Sequence, residues 1–328
     1  MNATPVYTTP LGKCYSTDSL AFMRRMPSGT VDLVLTSPPY ALHFKKEYGN
    51  ADQPEYVRWF LPFAAEIKRI LKPTGSFVLN IGGSWTPGAP TRSLYHFRLL
   101  LALCDELNYQ LCQEFFWYNP AKLPAPAEWV NVRRVRVKDS VEYIYWLSAT
   151  AHPKADNSNV LQEYSKDMAR LIRRGIKATK RPSGHNITVK FSQNKGGSIP
   201  PNLLECGNNE SNSSYIRLCK QLERKVHPAR FPAELPHFFI QFLTDADDLV
   251  LDPFAGSNTT GAVAEGLRRR WIALEIDQTY AEDSELRFKL DTLNNRETGQ
   301  ADLFREPSCE WNSRGRLANP GMHPTREK

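Results

Sequence analysis

Four consecutive residues, Ser37-Pro38-Pro39-Tyr40, combine groups that could do chemistry. Each proline fixes its own φ, lacks an N–H and holds the residue before it extended. The turn therefore presents a small hydroxyl, a bare carbonyl and an aromatic face together. A flat ligand carrying an amino group suits that set, because hydroxyl and carbonyl accept its N–H bonds while the ring stacks on its face. A planar nucleobase fits the description. Pro-Pro alone also fits a plain turn after a strand, so the motif needs support elsewhere in the chain.

A second cluster supplies it. Asp252-Pro253-Phe254-Ala255-Gly256-Ser257-Asn258-Thr259-Thr260-Gly261 follows an apolar run, and Glu275 ends the next apolar run 19 residues after Gly256. This is the logic of a nucleoside-binding βαβ unit, in which a glycine turn admits a ligand close to the backbone and a later acid takes ribose hydroxyls. Neither G-x-G-x-x-G nor a Gly-Lys-Ser/Thr phosphate cradle is present. The pattern therefore suits a ligand with ribose and adenine but no pyrophosphate, and S-adenosylmethionine is such a ligand. Asn258 stands where a second glycine is common, and asparagine tolerates positive φ better than most residues.

The elements that position these clusters read as an α/β fold. Val31-Asp32-Leu33-Val34 is a buried strand leading into the Pro-Pro turn. A helix with Trp59, Phe60, Phe63, Ala64, Ile67, Ile70 and Leu71 follows, with Lys72-Pro73-Thr74-Gly75 as its stop. Ser76–Ile81 is a second buried strand, Leu94–Leu107 a helix, and Tyr109–Trp117 and Val141–Leu147 are further strands. Late in the chain come a helix with Leu235, Phe238, Phe239, Phe242 and Leu243, a strand at Asp248–Asp252, a helix from Thr260 to Leu267 and a strand at Trp271–Glu275. Strands alternating with helices predict an α/β fold with a parallel sheet. Asp18 either caps the helix that begins near Leu20 or meets a cofactor at a strand end.

With 328 residues and 41% apolar content, the chain can bury a full core. No apolar run is long enough to span a membrane. The N-terminus has no signal-peptide pattern, so the cytosol is the expected location. The six cysteines show no metal-ligand spacing, and no metal is expected. A net charge of +7 permits a polyanionic partner. Between residues 149 and 226 apolar density falls, and Lys166, Arg170, Arg173, Arg174, Lys177, Lys180, Arg181, Lys190 and Lys195 face one acidic neighbour, Asp167, before Glu205. Such a run is either a solvated face or a phosphate-contacting surface on which His185, Asn186, Gln193, Asn194 and Asn202 reach base edges. Lys45 and Lys46 lie in a polar loop after the Pro-Pro turn, of the kind that closes over a site.

Together the two clusters resemble those of the DNA amino-methyltransferases, in which a [S/D/N]-P-P-[Y/F] turn and an F-x-G cofactor loop share one doubly wound, mostly parallel sheet. The order of turn, insert and cofactor loop is similar to the β arrangement of that family, in which the methyltransferase fold is circularly ordered. Serine at position 37 resembles the cytosine-N4 subgroup. Gly196–Leu204, His227–Pro232 and Gly256–Gly261 look like the PvuII-type modification enzymes of restriction systems. The resemblance covers about residues 10 to 290. It implies a catalytic half at 10–148, a target-recognition insert at 149–226, a cofactor-binding half at 227–295 and a loosely ordered tail at 296–328.

By the same resemblance, Phe254, Gly256 and Glu275 belong to an S-adenosylmethionine pocket, and Arg230 and Phe231 lie near the cofactor's methionine end. Asp18, Asp252, Ser257, Asn258 and Thr259 join them as candidate cofactor residues. Ser37 Oγ and the Pro38 carbonyl would accept the N4 hydrogens of a flipped cytosine on which Tyr40 stacks, with Pro39 keeping the turn extended. Candidate DNA contacts are Lys45, Lys46, Arg173, Arg174, Lys180, Arg181, His185, Asn186, Lys190, Asn194 and Lys195. The expected partners are duplex DNA with a short specific site and, functionally, a restriction endonuclease, with the enzyme acting as a monomer. Adenine N6 and a protein glutamine amide are rival acceptors, and a DNA-binding module without catalysis is a rival of another class.

Overall fold

The computed structural model describes residues 4–41, 53–175, 192–208 and 214–289, together with the backbone at 179–180 and 186–187. Its described residues form two compact units. The larger takes in those within 1–155 and 202–301, and the smaller spans 156–201.

The larger unit is built on one sheet. Its described strands are β1 (Tyr7–Thr8), β2 (Gly12–Ser16), β3 (Val31–Thr36), β4 (Leu71–Ile81), β5 (Gln110–Tyr118) and β6 (Val141–Ser148), then β9 (Leu203–Glu205), β10 (Leu249–Asp252) and β11 (Arg270–Glu275). The short β7 (Thr179–Lys180) and β8 (Asn186–Ile187) pair antiparallel in the smaller unit. The sheet order is β1-β2-β11-β10-β3-β4-β6-β5-β9. Strands β2, β11, β10, β3 and β4 run parallel, whereas β6 is antiparallel to both β4 and β5.

From β3 the chain winds outward through β4, and it returns at β10 to pair with the other edge of β3. The carboxyl ends of β3 and β10 thus flank a topological switch point, where open parallel sheets leave a crevice for ligands. All six residues of β3 are buried, as a strand covered on both faces requires.

Helices cover the two faces. The helices α1 (Ser19–Met23), α2 (Tyr56–Ile70) and α3 (Tyr95–Asp105) lie over one of them. Phe60, Ile67, Ile70 and Leu99 of α2 and α3 pack with Val34, Phe77, Leu79 and Tyr145 in a fully buried cluster. Each large side chain so buried contributes about 1.5–3 kcal/mol. On the other face Phe238, Phe239 and Phe242 of α6 (Glu234–Leu243) meet the ring of Phe115, and Phe242 also meets Trp146. The helices α7 (Thr259–Gly266) and α8 (Gln278–Ser284) follow β10 and β11.

Two boundaries differ from the sequence expectation. Strand β4 begins at Leu71 and takes in Lys72-Pro73-Thr74-Gly75, expected as a helix stop. The carbonyls of Pro73, Thr74 and Gly75 accept hydrogen bonds from Thr150 Oγ1, Lys154 N and Ser148 Oγ, which hold that segment extended. The smaller unit is also shorter than the 149–226 insert, because β9 pairs with β5 and joins the main sheet. Beyond it, Tyr215, Ile216, Leu218 and Cys219 of α5 (Ser214–Gln221) bury against Leu286. In the smaller unit α4 (Lys166–Arg174) is capped by Ser165, whose Oγ accepts the Met168 N–H. The tail at 296–328 lies outside the described residues.

The two crossovers are tied where they meet. Thr36 Oγ1, the last hydroxyl of β3, donates to Asp252 Oδ1 at 2.6 Å, across 216 residues of sequence. Thr260 Oγ1 of α7 donates to Asp252 Oδ2 at 2.7 Å, and Phe254 N donates to Oδ1 at 3.1 Å. Burial raises the Asp252 carboxyl to about 6 from its ordinary 3.8, because these three donors offset the desolvation only in part. The sign follows. As pH rises through that interval the unfolded chain ionises first, so the folded state loses up to about 3 kcal/mol from this group between pH 4 and 7. Asp252→Asn cannot ionise, so denaturant unfolding at the two pH values should show the variant gaining about that much relative to wild type as pH rises.

Candidate active site

A cavity of about 550 Å³ opens beside the ends of β3 and β10. Ser37, Pro38, Pro39 and Tyr40 line one part of it, and Phe254, Gly256, Ser257, Thr259 and Glu275 line another. Arg230, Phe231 and Asp18 also reach it. Two clusters separated by more than 200 residues of sequence therefore share one site.

The cofactor-type end is organised by main-chain hydrogen bonds to one acid. Glu275, at the end of β11, accepts the Gly256 N–H on Oε2 at 2.7 Å and the Asp277 N–H on Oε1 at 3.0 Å. Burial still raises its pKa. Gly256 has φ of +52°, and a Cβ there would sit 3.1–3.2 Å from the ring of His227, so a side chain at this position would meet both backbone strain and a tight contact. His227 is buried, which lowers its pKa, and it lines the cavity. The Phe254 ring lies 5.9 Å from Trp59 and 5.1 Å from Phe63, forming an aromatic wall. Ile276 lines the cavity while 72% exposed, an apolar surface set next to the acid.

These residues fit S-adenosylmethionine. Glu275 retains acceptor capacity for ribose hydroxyls, Ile276 offers a face for adenine, and the aromatic wall suits a sulfonium through cation–π attraction. Two candidates play a different part. Asp252 is spent on Thr36, Thr260 and the Phe254 N–H, and Asn258 is fully buried. Asn258 does adopt the left-handed conformation, with φ of 54°; its Oδ1 accepts the Gly261 N–H and its Nδ2 donates to Tyr7. Both shape the turn from beneath it. Asp18 has both expected positions, since Oδ1 caps α1 by accepting the Ala21 N–H and the residue borders the cavity.

At the other end the Pro-Pro turn carries a polar network. Ser37 Oγ donates to Tyr40 Oη at 3.1 Å, and Tyr40 Oη donates to Glu142 Oε2 at 2.7 Å. Asn80 Nδ2 donates to Tyr40 Oη at 3.1 Å and reaches Ser37 Oγ at 3.4 Å. Lys122 Nζ donates to Glu142 Oε1 at 2.8 Å. Asn80 and Glu142 meet here because Asn80 of β4 pairs with Ile144 of β6, which puts residue 142 two positions on and on the same face. Asn80 is 5% exposed, and its Oδ1 has no hydrogen-bond partner. Burial, and then the charge of Glu142, push the Tyr40 phenol well above its ordinary pKa.

Sequence reasoning placed Asn80 and Glu142 in strands without assigning them chemistry. A lone asparagine in the run Phe77-Val78-Leu79-Asn80-Ile81 was the available signal, because a fully buried strand has few reasons to carry a polar side chain. Among the candidate DNA contacts, Arg173 and Arg174 occupy the last turn of α4. Lys195 N donates to Tyr164 Oη, and Asn194 Oδ1 accepts the Gly196 N–H. Lys180 and Asn186 pair through their backbones in β7 and β8. Lys45, Lys46, Arg181, His185 and Lys190 lie outside the described residues.

A protein-family model described as DNA methylase matches residues 31–286, a span that includes both ends of this cavity. The chain belongs to the DNA methylase family. It is 51% identical over 287 residues to the Type II methyltransferase M.PvuII of Proteus hauseri, across 87% of this chain and 85% of that protein. Its fold is similar to that of the PvuII DNA methyltransferase (cytosine-N4-specific), with a TM-score of 0.72 and 46% identity over 88% of this chain and 89% of that one. M1.HpyAVI in its SAM complex shares the fold at a TM-score of 0.51 and 18% identity, over 85% of this chain and 100% of that one.

In this DNA methylase the ring of Tyr40 rests on Gly82, where a Cβ would fall 2.4 Å from Tyr40 Cε2. Tyr95, whose hydroxyl donates to the Gly82 carbonyl, holds that segment in place. Gly82→Ala should keep the fold and displace Tyr40, lowering the rate of methyl transfer to DNA by about 10²-fold in a single-turnover assay.

Proposed function

We propose that this DNA methylase transfers the methyl group of S-adenosylmethionine to the exocyclic N4 of a cytosine flipped out of duplex DNA. It acts at a short specific site, as the modification enzyme of a restriction–modification system. The observation that supports this reading is the shared cavity, which is lined by both the Ser37-Pro38-Pro39-Tyr40 turn and the acid Glu275.

The bound cofactor supplies a methyl group activated by a positively charged sulfur. The protein's part is to make a poor nucleophile ready and to aim it. The N4 lone pair of cytosine is delocalised into the ring, so the amine must be drawn out of conjugation. Ser37 Oγ and the Pro38 carbonyl accept its two hydrogens and orient the lone pair toward the cofactor end of the cavity. Asn80 Oδ1, buried without a partner, is a further acceptor beside them. Tyr40 stacks on the base, which leaves the duplex at a cost of a few kcal/mol.

The smaller unit, with Arg173, Arg174, Lys180, Arg181, His185, Asn186, Lys190, Asn194 and Lys195, serves as the target-recognition region, and Lys45 and Lys46 add further DNA contacts. One chain supplies both ends of the cavity, which supports action as a monomer. No helix among the described residues is long and apolar enough to cross a membrane; the proposed role places the enzyme in the cytoplasm, paired with a restriction endonuclease.

Incubation with duplex DNA and methyl-labelled cofactor, followed by digestion to nucleosides, tests the acceptor. Label is expected in N4-methylcytosine, and label in N6-methyladenine would overturn the choice of base. For the recognition region, Arg173→Ala and Arg174→Ala should each weaken DNA binding and reduce the slope of log K against log salt by about one in a filter-binding titration.

A further inference from the structure

Hydrogen bonds at the Pro-Pro turn run in one direction. Asn80 Nδ2 is a donor lying 3.1 Å from Tyr40 Oη and 3.4 Å from Ser37 Oγ, so it fills acceptor positions on both hydroxyls. The Ser37 hydrogen then points to Tyr40 at 3.1 Å, and the Tyr40 hydrogen to Glu142 Oε2 at 2.7 Å. The chain ends on a carboxylate whose side chain is 13% exposed and whose other oxygen pairs with Lys122. Two further acids border the cavity with different partners: Asp18 caps α1, and Glu275 holds the Gly256 and Asp277 N–H groups.

Methyl transfer to an amine leaves a proton to be removed. We propose that Glu142 is the terminal acceptor of that proton, reached through Ser37 and Tyr40; this rests on the amine-methylation reading above. As the bond from N4 to the methyl carbon forms, the carbon–sulfur bond breaks with its electron pair going to sulfur, and nitrogen carries one proton too many. That proton passes to Ser37 Oγ while the Ser37 proton moves to Tyr40 Oη and the Tyr40 proton to Glu142 Oε2. The product amine, Ser37 and Tyr40 end neutral, and Glu142 ends protonated beside Lys122. Acting through two hydroxyls, Glu142 is a positioning residue for proton departure and makes no contact with the base. Tyr40, whose phenol burial keeps neutral, passes the proton on without storing charge.

Glu142→Gln separates proton acceptance from mere support, because glutamine still accepts the Tyr40 hydrogen bond and cannot take a proton. Single-turnover methyl transfer by this variant should fall about 10²-fold while its dissociation constants for DNA and cofactor stay within about 2-fold of wild type. Tyr40→Phe, which keeps the ring and cuts the chain, should fall comparably, with no further loss in the double variant. Lys122→Gln combined with Glu142→Gln restores charge balance and should remain slow. A Glu142→Gln rate within about 3-fold of wild type would overturn the relay, as would recovery in the charge-balanced variant or independent losses in the Tyr40 double. The nucleoside digest of the wild-type reaction reports the base separately, so an adenine product would sink the cytosine assignment and leave these rate ratios to judge the relay.

Discussion

The bond from Thr36 to Asp252 is the constraint on which the site depends. It joins the carboxyl ends of two adjacent parallel strands, β3 and β10, at the point where the sheet's winding reverses. Everything chemical begins one residue further on. Ser37 follows Thr36, and Pro253 and Phe254 follow Asp252. A second bond from Thr260 brings α7 to the same carboxylate, so the cofactor-type turn is pinned at its start and at its exit. The cost is a buried acid with a raised pKa, retained where three donors converge on it.

From that junction the cavity divides its labour. On the β10 side, an acid, a left-handed glycine and an aromatic wall line the part of the cavity proposed to take the methyl donor. On the β3 side, a serine and two prolines set out hydrogen-bond acceptors, and strands β4 and β6 contribute Asn80 and Glu142 from one face. Antiparallel pairing of β4 with β6 is what makes this possible. It reverses the chain so that the start of β6 lies beside the end of β4, and a residue early in one strand joins a residue late in the other.

The fold was largely legible because its signals are local. The apolar run before Ser37, the helical stripe from Trp59 to Ile70 and the glycine turn before Glu275 each declare an element, although the stop expected at Lys72-Pro73-Thr74-Gly75 lies inside β4. Both clusters that line the cavity stood out in the sequence because a proline pair restricts the backbone and a glycine allows conformations that few other residues adopt. Glu142 was hidden because a glutamate in Val141-Glu142-Tyr143 reads like any solvent-facing strand position, and only the pairing of β6 with β4 brings it inward. Asp252 and Asn258 lie in the right turn, but their side chains face its underside, a direction that spacing does not encode. The limits of the insert blurred for a related reason: β9 is three residues long, and its place in the main sheet comes from pairing with a strand almost 90 residues earlier.

A DNA amino-methyltransferase built this way keeps acceptor activation separate from donor binding. Measuring Ser37→Ala in a single-turnover methyl-transfer assay, with cofactor affinity determined by calorimetry on the same preparation, tests that separation directly. Transfer should fall by about 10²-fold or more with cofactor affinity unchanged. Transfer at the wild-type rate, or a loss of cofactor affinity in proportion to the loss of rate, would contradict that separation.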